Sequence, residues 1–219
     1  MPRQSRVTPF GELIATACRG TLMGNRGRLH DERQRIRRAF VGRRWLVCVL
    51  EFRGRHRTVM APGRYTELFF LDEATALAAG HRPCAECQHA RYRLFREVWA
   101  AANPEAAGSI PSADELDRVL HAERLGPGGV KRTYPARPAE LPAGTMVADS
   151  LGRPSLVLGQ ALVPWEPGGY GRAVPLPADV ELRVLTPRSV VRALAERYPV
   201  EVHPSARQAL GHRPAPKAR

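Results

Sequence analysis

A chain of 219 residues, 43% hydrophobic and 25% charged, can bury a sizeable core and has the make-up of a globular protein. Its longest apolar run, Trp45 to Leu50, is far too short to cross a bilayer, and Met-Pro-Arg-Gln-Ser-Arg at the N-terminus lacks the apolar stretch of a secretion signal. The net charge of +13 is carried almost wholly by arginine, with Lys131 and Lys217 the only lysines.

Arginine's planar fork matches phosphate oxygens, so nucleic acid is the expected partner, DNA ahead of RNA. No basic amphipathic helix supports the rival basic-protein reading, an acidic membrane surface. Four scattered cysteines, two of them at C-x-x-C spacing, suit a reducing compartment and a metal site better than a disulfide frame. The expected location is cytoplasmic.

In chain order, residues up to Thr8 read as unstructured and Phe10 to Ala17 as a short helix. Arg19 to Gly27 is a glycine-punctuated loop without the signature of a phosphate-binding loop. From Arg26 to Arg57 there are eleven arginines against Asp31, Glu32 and Glu51. Asp31 to Phe40 has helical spacing, with Ile36, Ala39 and Phe40 on one face and Arg33, Arg37 and Arg44 on another. Trp45 to Phe52 alternates as a strand with Leu46, Cys48, Leu50 and Phe52 on one side. A turn at Arg53-Gly54-Arg55 and a returning strand over Thr58 to Met60 complete a hairpin. The expected phosphate contacts are Arg26, Arg33, Arg37, Arg43, Arg44, Arg55 and Arg57.

Leu68 to Leu71 then reads as an apolar strand, followed by a compact helix with Asp72 as its N-cap, Glu73 at the positive end of its dipole and Gly80 beyond its end. Arg82-Pro83 stops the helix, and Cys84 and Cys87 follow as a knuckle able to turn two thiolates to one tetrahedral zinc. A strand ending in two aromatics, a helix ending Ala-Ala-Gly and then Arg-Pro-Cys-x-x-Cys resembles the second half of the zinc-binding module of Ada-type DNA alkylation-repair proteins. The resemblance covers residues 67–87 and extends more loosely back to Trp45. It implies zinc at Cys84 and Cys87, contact with the DNA backbone, and DNA repair or modification as the setting. The family's first cysteine pair, which includes the methyl acceptor, is absent; Thr58 to Tyr65 stands in its place.

Gln88 to Ala102 reads as a helix with Phe95, Val98, Trp99 and Ala102 as its core stripe. A second helix begins at the capping box Ser112-Ala-Asp-Glu115 and buries Leu116, Val119 and Leu120. Residues 126–144 are a Pro/Gly-rich connector. Beyond it Thr145 to Ala148, Pro154 to Leu158 and Val180 to Leu185 read as strands. A closing helix follows, capped by Thr186 with Pro187 at its first position. The fold class is α+β: a zinc-stapled module with two helices over residues 1–125, the connector, and a small barrel or sandwich over 145–202. A disordered basic tail over 203–219 ends the chain.

Three constellations carry chemistry. The zinc site takes Cys48 as third ligand and His30 as fourth, with His81, His89 and Cys18 as other candidates for the fourth place. Alternatively, His30-Asp31-Glu32 and Pro83-Cys84-Ala85-Glu86-Cys87 follow the order of a zinc nucleobase deaminase, with His30 on the metal and Glu32 moving protons. The third set is His121-Ala-Glu123-Arg124 with Lys131-Arg132-Thr133, a group able to position a phosphate and move a proton as a nuclease or glycosylase requires. Its bland counterpart is an exposed helix face on which His121 pairs with Asp117.

Overall fold

The structure, a computed structural model, describes residues 1–55, 58–106, 109–178 and 180–211. The chain opens in strand β1 (Gln4–Val7) and returns through a turn as β2 (Leu13–Ala15), where an unstructured start and a helix are expected from the sequence. Gln-Ser-Arg-Val has no strand-like apolar pattern of its own. It is extended because Arg6 pairs in parallel with Phe69, far along the chain. The buried Arg6 guanidinium donates to the carbonyls of Pro167 and Cys18.

Among the described residues four further strands join this sheet: β3 (Leu22–Asn25), β4 (Leu46–Cys48), β5 (Leu68–Phe70) and β6 (Arg82–Pro83). The order is β2-β1-β5-β3-β4-β6, with helix α1 (Glu73–Ala78) between β5 and β6. Gly24 lets β3 and β4 approach closely, since a Cβ there would stand 2.1 Å from the Leu46 carbonyl oxygen. The helix expected over Asp31 to Phe40 does not form. Asp31 Oδ1 accepts from the backbone N–H groups of Arg33 and Arg35, and Gln34 adopts a φ of 59°, so the segment closes as a turn and loop. The hairpin is corrected as well. Arg53-Gly54 forms the expected turn, but Val59 and Met60 lie in a second turn rather than a returning strand.

Helices α2 (His89–Ala102) and α3 (Ala113–Arg124) follow, α3 with the full capping box between Ser112 and Glu115. Within 126–144 the chain forms strand β7 (Tyr134–Ala136). The second sheet then adds β8 (Met146–Ala148), β9 (Pro154–Leu158), β10 (Ala161–Glu166), β11 (Gly169–Tyr170), β12 (Val174–Pro175) and β13 (Leu182–Val184). Among the described residues its order is β11-β10-β9-β8-β13-β7, with β12 on β10. Helix α4 (Arg188–Ala195) is flanked by Pro187 at its N-cap; Thr186, expected as the cap, instead accepts from the Met146 N–H. Pro204–Ala209 form helix α5, so the first part of the expected tail is ordered; residues 212–219 lie outside the described residues. Among the described residues no helix is long and apolar enough to cross a membrane.

All six residues of α1 are buried, and the helix is the point where three layers meet. Ala76 and Ala79 pack with Val47, Leu68 and Phe70 of the first sheet. Ala74 and Ala78 pack with Met146, Leu156 and Val163 of the second. Leu77 packs with Phe95, Trp99, Leu116 and Leu120 of α2 and α3 and with Val190 and Leu194 of α4. A helix covered on every side needs small apolar side chains, hence three alanines in six residues. Its polar members are bonded across the layers. Asp72 accepts from the Thr75 N–H at 2.8 Å, from the Tyr170 hydroxyl at 2.8 Å and from the His203 N–H at 2.9 Å. Glu73 accepts from the Tyr198 hydroxyl at 2.7 Å and the Glu201 N–H at 2.9 Å, and pairs with Arg91.

Candidate metal centre and arginine surface

Parallel pairing of β4 with β6 sets Val47 opposite Pro83, and the Cys84 N–H donates to the Val47 carbonyl at 2.9 Å. Cys48, one residue on, therefore meets the knuckle. The ligand sulfurs of Cys48, Cys84 and Cys87 all lie within 4.8 Å of one another. Sulfurs ~2.3 Å from a tetrahedral zinc stand ~3.8 Å apart, so the donor set suits zinc with little adjustment. The three thiols hydrogen-bond among themselves. The bond from Cys48 and the Glu86 N–H favour a thiolate at Cys84, while the Cys48 thiol is pushed well up, first by that same bond and then by burial. Gln88 donates to the Val47 carbonyl at 2.9 Å and ties the far side of the knuckle to β4. Sequence reasoning missed it, although its place directly after Cys87 is the signal.

The fourth position is where expectation and structure part. Among the described residues the metal-capable group holds these three cysteines only. His30 is buried elsewhere, with Nδ1 at 2.6 Å from the Thr66 hydroxyl and Nε2 at 3.2 Å from the Ala61 carbonyl. Glu32 is exposed, so the deaminase pair of His30 and Glu32 does not assemble on the thiols. His81 is wholly buried between the rings of Phe70 and Trp45, at 4.7 and 5.1 Å. His89 and Cys18 are exposed. Beside the sulfurs lies a recess of about 220 Å³ also lined by Phe52, Arg55 and Tyr65.

Of the expected phosphate contacts, Arg33, Arg37, Arg43, Arg44 and Arg55 are exposed. Arg37 is held by Asp31 at 2.9 Å, Arg44 faces Asp114 at 3.5 Å and Arg55 pairs with Glu86 of the knuckle at 2.8 Å. Exposed pairs of this kind hold a side chain only lightly. Arg26 is a correction: it is buried, its guanidinium lies 4.5 Å from the centre of the Trp45 ring, and it donates to the Gly11 carbonyl at 2.7 Å. Arg57 lies outside the described residues.

The third constellation divides. Glu123 turns to α4, where the Ser189 N–H and hydroxyl donate to it. His121 sits against the Phe40 ring at 5.4 Å with Nδ1 at 2.8 Å from an Arg124 nitrogen; Asp117 is bonded to Arg82 instead. Arg124 and Lys131 run inward to the end of α1. No family model, no curated protein and no solved structure matches this chain.

Proposed function

We propose that this chain is a zinc-holding protein that binds nucleic acid, DNA in preference. One observation carries the reading. Strand β4, which bears Cys48, is flanked on both sides by exposed arginines: Arg28, Arg33, Arg35, Arg37, Arg38, Arg43 and Arg44 before it, and Arg53, Arg55 and Arg64 after it. A metal at Cys48, Cys84 and Cys87 would hold β4 against the knuckle and so fix both arginine segments in place for a phosphate backbone. The likeness of residues 67–87 to the Ada zinc module makes DNA repair or modification the setting.

The test is duplex DNA binding at rising salt, on wild type and on a variant with Arg33, Arg37, Arg43 and Arg44 neutralised together. Wild-type affinity should fall by tens-fold or more between low and physiological salt, and the variant should show weaker binding and a shallower slope. An unchanged slope in the variant rejects the reading. A second reading is favoured by the recess beside the sulfurs: a zinc with three protein ligands keeps one position for water or substrate, which is the arrangement of zinc enzymes such as nucleobase hydrolases. In that case the zinc would supply an activated water, and Arg55 and Tyr65 would line the approach to it.

A further inference from the structure

Three cations meet at the C-terminal end of α1, and among the described residues none has a carboxylate within ion-pair distance. Arg26 and Arg124 are 2% and 1% exposed, and both guanidiniums lie against the Trp45 indole, 4.5 and 4.0 Å from the ring centre. Arg124 donates to the carbonyls of Gly80 at 2.8 Å and Arg43 at 2.5 Å, and half-buried Lys131 reaches inward to the carbonyl of Ala78. The Nε groups of Arg26 and Arg124 are buried without an acceptor. Asp117, the acid that acts on Arg124, is engaged by Arg82, and Glu12, exposed, lines the same cavity.

The modest explanation is that the cations cap the carbonyls ending α1. A helix end offers roughly half an elementary charge at most, against the full charges of two arginines and a partly protonated lysine, so capping leaves most of the charge uncompensated. Burial, and then repulsion from Arg124 and Arg26, depress Lys131 to about 7, and burial alone depresses Arg26 to about 10. Arg124 is lowered to about 9, mainly by burial. Burying these cations is therefore a cost that an anion would offset.

The cations front a cavity of about 650 Å³, also walled by Phe10 and Phe40. That is the size of a pocket for an organic ligand, roughly 300–1,000 Å³, and a bare inorganic anion would leave most of it empty. Flat apolar walls beside a cationic floor suit a planar ring joined to a phosphate.

We propose that this cleft binds a nucleotide, with Arg26, Arg124 and Lys131 on its phosphate and its base against Phe10 and Phe40. The nucleotide is either free or the end residue of a strand. The strand-borne form rests on the nucleic-acid reading above; the free form does not.

The test titrates the full chain calorimetrically with a deoxynucleoside 5′-monophosphate, the bare nucleoside, inorganic phosphate, and a short single strand with and without a terminal 5′-phosphate. The monophosphate should bind at least about tenfold tighter than either phosphate or nucleoside. Lys131→Met, whose stem is half-buried and whose fold is checked by thermal melting, should weaken the monophosphate by about tenfold. A phosphorylated strand that binds more tightly than the monophosphate identifies the strand as the source; equal or weaker binding identifies the free nucleotide. The proposal is overturned if neither monophosphate nor phosphorylated strand binds at millimolar concentration, whatever duplex DNA does. It is equally overturned if phosphate binds as tightly as the nucleotide, or if Lys131→Met changes nothing. Nucleotide binding without duplex binding leaves this site standing and removes the nucleic-acid reading.

Discussion

Arg82 and Asp117 close a two-pronged ion pair inside the protein, Nε to Oδ1 at 2.9 Å and Nη2 to Oδ2 at 2.7 Å, with both side chains almost wholly buried. The pair joins β6, which leads into the cysteine knuckle, to the middle of α3. Removing one partner of a buried pair strands the other charge and costs about 3–5 kcal/mol. Asp117→Ala should lose that much stability by chemical denaturation. A loss below about 1 kcal/mol, the range of a surface pair, would contradict the burial seen here.

The purified protein should carry one zinc for each chain by elemental analysis. Because ligand binding and folding share one free energy, Cys84→Ser with Cys87→Ser should lose the metal and destabilise the fold together. A loss of ~3 kcal/mol would lower the melting point by about 6–12 °C in a chain of this size. A metal-free wild type that melts no lower than a zinc-loaded sample would sink the assignment.

The legible parts of this fold were those set by local chemistry. The Ser112/Glu115 box announces α3, the Asp72 cap announces α1, and the alternation about Cys48 puts its thiol on the side of the knuckle. What local pattern cannot show is pairing over distance. Gln4–Val7 is a strand only because β5 lies beside it, and Asp31, a fair helix cap by composition, instead gathers Arg33, Arg35 and Arg37 into a loop. Arg26 was hidden for another reason: arginine is almost never fully buried, so composition places it outside. Only the return of α3 and the segment after it shows that it belongs to an interior cleft.

Lys131 makes stability depend on pH. Its pKa is lowered to about 7 in the folded chain, first by burial and then by Arg124 and Arg26, and returns to ~10.4 on unfolding. Between those values the unfolded chain holds more protons, so stability rises with pH from about 7 to 10, and the full penalty is present below about 7. Lys131→Met removes that slope. The variant should therefore exceed wild type in stability near pH 6.5, with the gap closing by about pH 10; comparing the two proteins cancels the titration of the thiols. Parallel stability curves would show that the ammonium is not confined as described.

The protein should not repair methylated DNA phosphates by taking the methyl group itself. That chemistry needs a metal-activated thiolate that a phosphate can approach. The segment from Thr58 to Tyr65 has no cysteine, and Cys48 is buried at the end of β4, one residue past its pairing with β6. After incubation with DNA bearing methylphosphotriesters, the intact mass should be unchanged. A gain of one methyl group mapping to Cys48, Cys84 or Cys87 would refute this.

The partners of Asp72 and Glu73 set a timetable for synthesis. The Tyr170 hydroxyl that meets Asp72 is made 98 residues later, and the His203 N–H 131 residues later; the Tyr198 hydroxyl that meets Glu73 comes 125 residues later. At translation rates of ~5–20 residues per second, both carboxylates wait several seconds or more for the groups that let them be buried. A nascent chain stalled anywhere before Tyr198 therefore cannot enclose α1 without leaving acceptors unmet. Ribosome-bound intermediates should be open to protease around residues 72–79 until the last helices have left the exit tunnel.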